Sequence, residues 1–104
     1  MVVAETAWLA EDLNIPMWSV AVTSTPAYQR RYVERLFEAA QALEAEALVW
    51  WCPVDFDALW ETILNRDPLA SIWRDTGLYD RDLVTRPALS VWEQWRQRSR
   101  EAPQ

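Results

Sequence analysis

From Pro26 to about Glu46 the apolar positions form one helical stripe. Tyr28, Tyr32, Leu36, Ala40, Leu43 and Ala47 recur at helical spacing, joined by Val33 and Phe37. Gln29, Arg30, Arg31, Glu34, Arg35, Glu38, Gln41 and Glu44 fill the other side. Thr25 offers an N-cap oxygen, and Pro26 suits the first helical position. The pattern predicts a helix over residues 26–46. Two short apolar runs flank it. Residues 17–23, Met17 to Thr23, lie between Pro16 and Ser24-Thr25-Pro26. Residues 47–52, Ala47 to Cys52, are apolar throughout and end at Pro53. Each reads as a buried strand. Strand, helix, strand then implies parallel pairing and a right-handed crossover.

The remaining segments are shorter. Ala7, Trp8, Leu9 and Leu13 among Glu5, Glu11 and Asp12 predict a helix from Glu5 to Asn14, closed before Pro16. Phe56, Leu59, Trp60 and Ile63 predict another over Asp55–Leu64, broken by Asn65-Arg66-Asp67-Pro68. Gly77 is the only glycine, so the tightest turn is expected at Thr76-Gly77. Pro87 opens a last helix, residues 87–98, with Leu89, Val91, Trp92 and Trp95 inward. The tail from Arg100 to Gln104 is expected to fray. The fold class is α/β, in the order helix–strand–helix–strand–loop–helix, with two parallel strands. Two parallel strands alone leave two open edges. The chain therefore calls for more strands, from another protomer or from an upstream segment.

Composition narrows the chemistry. The chain has 104 residues, 51% of them apolar, with 8 Trp, so it has apolar surface to bury and is not a disordered polymer. Ten Arg, no Lys and 16 acidic residues give a net charge of −6. Phosphate backbones repel such a surface, so no nucleic-acid partner is expected. No run of about 18 apolar residues exists, so no membrane partner is expected either. Residues 1–5 lack the basic region and apolar core of a signal peptide. The absence of His excludes His-based triads and His-ligated metals. Cys52 is the only cysteine, which forbids an internal disulfide and suits a small buried hydrophobe. Neither a metal nor a cofactor is expected.

Several motifs stand in a telling order. Pro16 precedes the strand 17–23; Gln29-Arg30-Arg31-Tyr32-Val33 opens the long helix; Val49-Trp50-Trp51 precedes Asp55-Phe56-Asp57. Trp73-Arg74-Asp75-Thr76-Gly77-Leu78-Tyr79-Asp80 and Arg86-Pro87-Ala88-Leu89 follow. Over residues 16–95 this set resembles the C-terminal quarter of a (β/α)8-barrel glycoside hydrolase, of the superfamily with two catalytic glutamates. The resemblance implies a partial barrel. Strand seven would be residues 17–23, helix seven 26–46, strand eight 47–52 and helix eight 87–98. It implies a carbohydrate partner and an active site at the C-terminal strand ends, worked by two carboxylates. The nucleophile's place, at the end of strand seven, would hold Thr23 or Ser24, with Asp12 and Glu34 the nearest carboxylates. The acid/base carboxylate belongs to strand four, outside this chain. The chain alone is thus expected to be inactive, contributing one wall of a carbohydrate cleft. Hydrolases of this kind are often exported, so the absent signal leaves localisation open.

The resemblance gives a substrate-binding role to Trp50, and Asp55 and Asp57 are candidates for the same role because they follow the strand. Trp50 would floor the sugar pocket, or else pack as core. Asp55 and Asp57 could meet ligand hydroxyls, or Asp55 could cap the helix that begins at Phe56. Asp75, Asp80 and Asp82 lack the spacing of a calcium loop and read as a solvated turn. Trp8, Trp60, Trp73, Trp92 and Trp95 read as core. Two other functions remain open: a non-enzymatic protein-interaction or carbohydrate-binding module that oligomerises through its open strand edges, and a small intact enzyme of another type.

Overall fold

The structure is a computed structural model and describes residues 2–99; residue 1 and the tail 100–104 lie outside that range. It is mixed α/β, with three α-helices and two small two-stranded sheets. β1 (Val2–Thr6) pairs in parallel with β4 (Ala47–Trp50). β2 (Leu13–Ile15) pairs antiparallel with β3 (Val20–Val22). The helices are α1 (Pro26–Ala42), α2 (Asp57–Glu61) and α3 (Pro87–Ser99). No helix among the described residues is long and apolar enough to cross a membrane.

The expected strand–helix–strand unit exists, but with a different first strand. The parallel partner of residues 47–50 is Val2–Thr6, not residues 17–23. The helix expected over Glu5–Asn14 is absent. Val2-Val3 starts a strand instead, as β-branched residues favour. Leu13 and Ile15 point inward and Asn14 outward, the two-residue alternation of a half-buried strand. Of residues 17–23, only Val20–Val22 joins a sheet. Pro16–Trp18 coils into a 3-10 turn, and Ser19 turns the chain at φ 53°. Residues 7–25 are thus an excursion carrying a small hairpin between β1 and α1.

The helices follow the sequence pattern more closely. Thr25 Oγ1 accepts from the Tyr28 amide at 3.2 Å, with Pro26 in the first turn. The Gln29 side chain is fully buried, and its amide nitrogen lies 3.1–3.2 Å from the carbonyls of Trp8, Thr76 and Gly77. That residue ties α1 to both strand-end excursions. α1 and α3 pack through Phe37, which meets Trp92 edge-on at 5.0 Å and stacks on Trp95 at 5.2 Å. The main core gathers Val33, Trp50, Leu78, Ala88 and Val91. A second cluster, Leu9, Leu13 and Ile15, lies under the hairpin.

Both helices contribute to the core that buries Trp50. Val2, Val49 and Trp51 remain 56%, 49% and 45% exposed. Along residues 48–51, covered and open positions alternate as a pleated strand requires. The ladder between β1 and β4 is irregular. From Val3↔Leu48 to Thr6↔Trp50, β1 advances three residues while β4 advances two. The extra residue is a bulge at Ala4-Glu5, a device that re-aims side chains at the end of a strand.

Candidate functional site

β1 and β4 end side by side, the Trp51 amide donating to the Thr6 carbonyl at 2.9 Å. Thr6 turns toward α1, where its hydroxyl lies 2.6 Å from that of Tyr32. Trp8 stacks on the same tyrosine at 5.4 Å. Glu5, at the bulge, is exposed. Thr23 and Ser24 are not at this end. They follow β3 in the hairpin, where the Ser24 hydroxyl donates to the Leu9 carbonyl at 2.7 Å and its amide to Asp12 at 2.8 Å. The carboxylate beside the end of the parallel pair is therefore Glu5. The run Val-Val-Ala-Glu-Thr was the available signal: β-branched residues leading into a carboxylate.

The two tryptophans divide as the pleat dictates. Trp50 is 8% exposed, tilted against Tyr32 and Trp92, with its indole N–H on the Thr76 carbonyl at 2.9 Å. It is core. Trp51 is the one left open, and the peptide joining it to Cys52 is cis. Burial raises the Cys52 thiol above its ordinary value, only partly offset by hydrogen bonds with Thr76 and Val54. It stays a thiol and a poor nucleophile at neutral pH.

Asp55 neither caps a helix nor faces a cleft. The residue before α2 is Phe56, which makes no side-chain cap. Asp55 is buried against Arg86, which donates from one terminal nitrogen to Oδ1 at 2.8 Å and from the other to Oδ2 at 2.7 Å. The Gly77 amide adds a bond to Oδ1 at 2.8 Å. Gly77 is needed here for close approach rather than for backbone freedom, since its φ is not positive. A Cβ would strike the Tyr79 carbonyl oxygen and sit 2.5 Å from the Asp55 nitrogen. Arg86 also reaches Glu11 at 3.0 Å and the Gly77 carbonyl at 2.9 Å. Burial pulls its pKa down, but Asp55, Glu11 and Asp75 outweigh that and hold it above its ordinary value.

Asp75 completes this cluster. Burial pushes its carboxyl from 3.8 up to about 6, against the pull of Arg74 and with help from Glu11 and Asp57. Arg74 Nε donates to its Oδ2 at 2.9 Å, while Oδ1 is buried without a partner among the described residues. Oxygens of Glu11, Asp55 and Asp75 lie within 4.8 Å of one another, close enough to share a cation. Arg86, bonded to two of them, is such a cation. Asp57 sits in the first turn of α2, with Arg81 4.0 Å from its Oδ2. Asp80 Oδ1 accepts from the amides of Asp82 and Val84, the expected turn.

Trp92 and Trp95 pack between α1 and α3 as core, whereas Trp8 and Trp73 stay 40% and 38% exposed. Sequence reasoning missed Glu5, Trp51 and the pairing of Asp55 with Arg86. Comparison with protein-family models, curated proteins and solved structures finds no match to this chain.

Proposed function

We propose that the chain is the C-terminal part of a glycoside-hydrolase-like (β/α)8 barrel and forms one wall of a carbohydrate cleft. The observation that carries this is the pair of residues at one end of the parallel β1–α1–β4 unit. Glu5 and Trp51 are both exposed there, at neighbouring strand ends joined by the Trp51–Thr6 hydrogen bond. With β1 as strand seven, Glu5 takes the place the resemblance gives to the nucleophile, instead of Thr23 or Ser24. Trp51, instead of Trp50, takes the place of the aromatic floor, its flat face suited to sugar C–H groups. A retaining mechanism needs a second carboxylate about 5–5.5 Å from the first. The resemblance puts that group on strand four, so the chain alone turns nothing over.

The test is binding rather than turnover. Neutral cello-, xylo- and manno-oligosaccharides are titrated while tryptophan emission is followed. One series should shift the emission, Trp51→Ala should abolish the shift, and Glu5→Gln should weaken it. No shift with any sugar refutes the cleft. A second reading, a protein-interaction module, is favoured by the open face around Val2, Val49 and Trp51. A dimer in sedimentation that Val49→Arg dissociates would select it.

A further inference from the structure

A cavity of about 410 Å3 opens between the two excursions that leave the ends of β1 and β4. Its volume falls in the range of small-ligand sites, roughly 300–1,000 Å3. Ile15 and Met17 line it from the first excursion; Trp60, Arg66, Ser71 and Arg74 line it from the second. Arg74 lies over the Trp60 ring at 4.4 Å and gives its Nε to Asp75. Arg81 and Arg86 of the same excursion are likewise paired with carboxylates. Arg66 is different. Its guanidinium has no carboxylate, carbonyl or ring partner among the described residues. The adjacent Asp67 is turned away, accepting from the Leu69 amide at 3.1 Å.

The backbone at Arg66 is held in a costly form. Asn65 and Arg66 have φ of 50° and 56°, two successive left-handed residues without a glycine. Such strain persists only where the surroundings over-determine it. The Arg66 amide donates to the Trp60 carbonyl at 2.6 Å, and the Trp60 indole N–H to the Asp67 carbonyl at 2.8 Å. The turn is thus fastened to the tryptophan at both sides, with Arg66 at the cavity wall. Arg66 is exposed at the rim of the cavity, and in a chain of net charge −6 a cation with no partner among the described residues favours an anion there. The planar fork of arginine matches a carboxylate or a phosphate in two-point contact, and of these a sugar ring carries the carboxylate directly on its own carbon.

We propose that this cavity binds the carboxylate of an acidic sugar, with Arg66 as its partner and Met17 and Trp60 against the ring. This rests on the barrel reading and names its substrate class as a glycan of neutral residues that also carries uronates, the neutral residues lying at Trp51 and a uronate at Arg66. The test is calorimetric titration of the protein with tetragalacturonate, its methyl ester, acetate and inorganic sulfate. Tetragalacturonate should bind, and the ester should bind at least tenfold more weakly. Arg66→Gln should cost at least tenfold, Arg66→Lys less, with circular dichroism unchanged in both. Equal binding of the ester, an unaffected Arg66→Gln variant, or no binding of tetragalacturonate overturns the proposal. Acetate or sulfate binding as tightly as the tetramer also overturns it, as a bare anion site. If a neutral oligosaccharide shifts Trp51 emission while Arg66→Gln changes nothing, the cavity inference falls and the barrel reading stands. If no neutral oligosaccharide shifts the emission and tetragalacturonate does not bind, both fall.

Discussion

Asp75→Asn should stabilise the fold at neutral pH, although it removes a charged partner of Arg74. The folded carboxyl ionises near pH 6 rather than 3.8. At 1.36 kcal/mol per pH unit, that difference is roughly 3 kcal/mol against the folded state once Asp75 is ionised. The sign follows from proton counts. Below pH 3.8 the group is protonated in both states and contributes no penalty. Between 3.8 and about 6 the folded chain holds the proton that the unfolded chain has lost, so stability falls as pH rises. Asparagine cannot ionise, and its oxygen still accepts from Arg74 Nε. Its amide nitrogen would lie where Oδ1 lacks a donor, in a cluster whose carboxylate oxygens lie within 4.8 Å. The variant should therefore gain about 1–3 kcal/mol at pH 8 and nothing at pH 3.5. Urea unfolding followed by tryptophan emission at both pH values measures the difference, and a 13C carboxyl titration locates the midpoint directly. A midpoint near 3.8, or a variant less stable than the parent at pH 8, would refute the reasoning.

Three further outcomes follow from the same geometry. Arg86→Met should cost about 3–5 kcal/mol, because Asp55, its side chain 1% exposed, would be left as an unpaired buried charge; urea midpoints check it. Gly77→Ala should cost about 1–3 kcal/mol, since the atoms its Cβ meets are mostly backbone and cannot swing aside; thermal unfolding reads this. Trp50→Phe should cost about 1–3 kcal/mol, because it leaves a gap in the core and removes one of the two donors to the Thr76 carbonyl, Gln29 being the other, whereas Trp51→Ala should stay within about 0.5 kcal/mol. Equal losses at the two tryptophans would contradict the assignment of Trp50 to the core and Trp51 to the open face.

The parts legible in the sequence were those governed by one period. Residues 26–42 and 87–99 show a clear helical stripe with a proline at the start, and both helices formed. The first strand is hidden because its end, Glu5-Thr6, runs into Ala7, Trp8, Leu9 and Leu13, which fit a helical period and extend it back to Glu5. A short stretch carries too few repeats to choose between periods. The pairing is not legible because the apolar run nearest α1 reads as its strand, while the true partner of β4 lies beyond a hairpin. Asp55 illustrates a different limit. A carboxylate before a short helix has the local signature of a cap, and nothing local points to an arginine 31 residues away. The tight turn expected at Thr76-Gly77 does not form there; the left-handed residues are Ser19, Glu44, Asn65, Arg66 and Leu83, and Gly77 is required instead by the closeness of Asp55 and Tyr79.

The Asp55–Arg86 pair also has an architectural consequence. Beside it, the Leu78 amide donates to the Pro53 carbonyl and the Arg86 amide to the Leu78 carbonyl, each at 2.9 Å. The excursion after β4 is thus clasped at its base before α2 begins and again where α3 starts. What lies between these clasps adds little to the cost of closing the loop, because that cost grows only slowly with length. Residues 58–70 can therefore be shortened, lengthened or exchanged without shifting α3. The base works as a socket, into which different loops can be plugged while the scaffold keeps its shape.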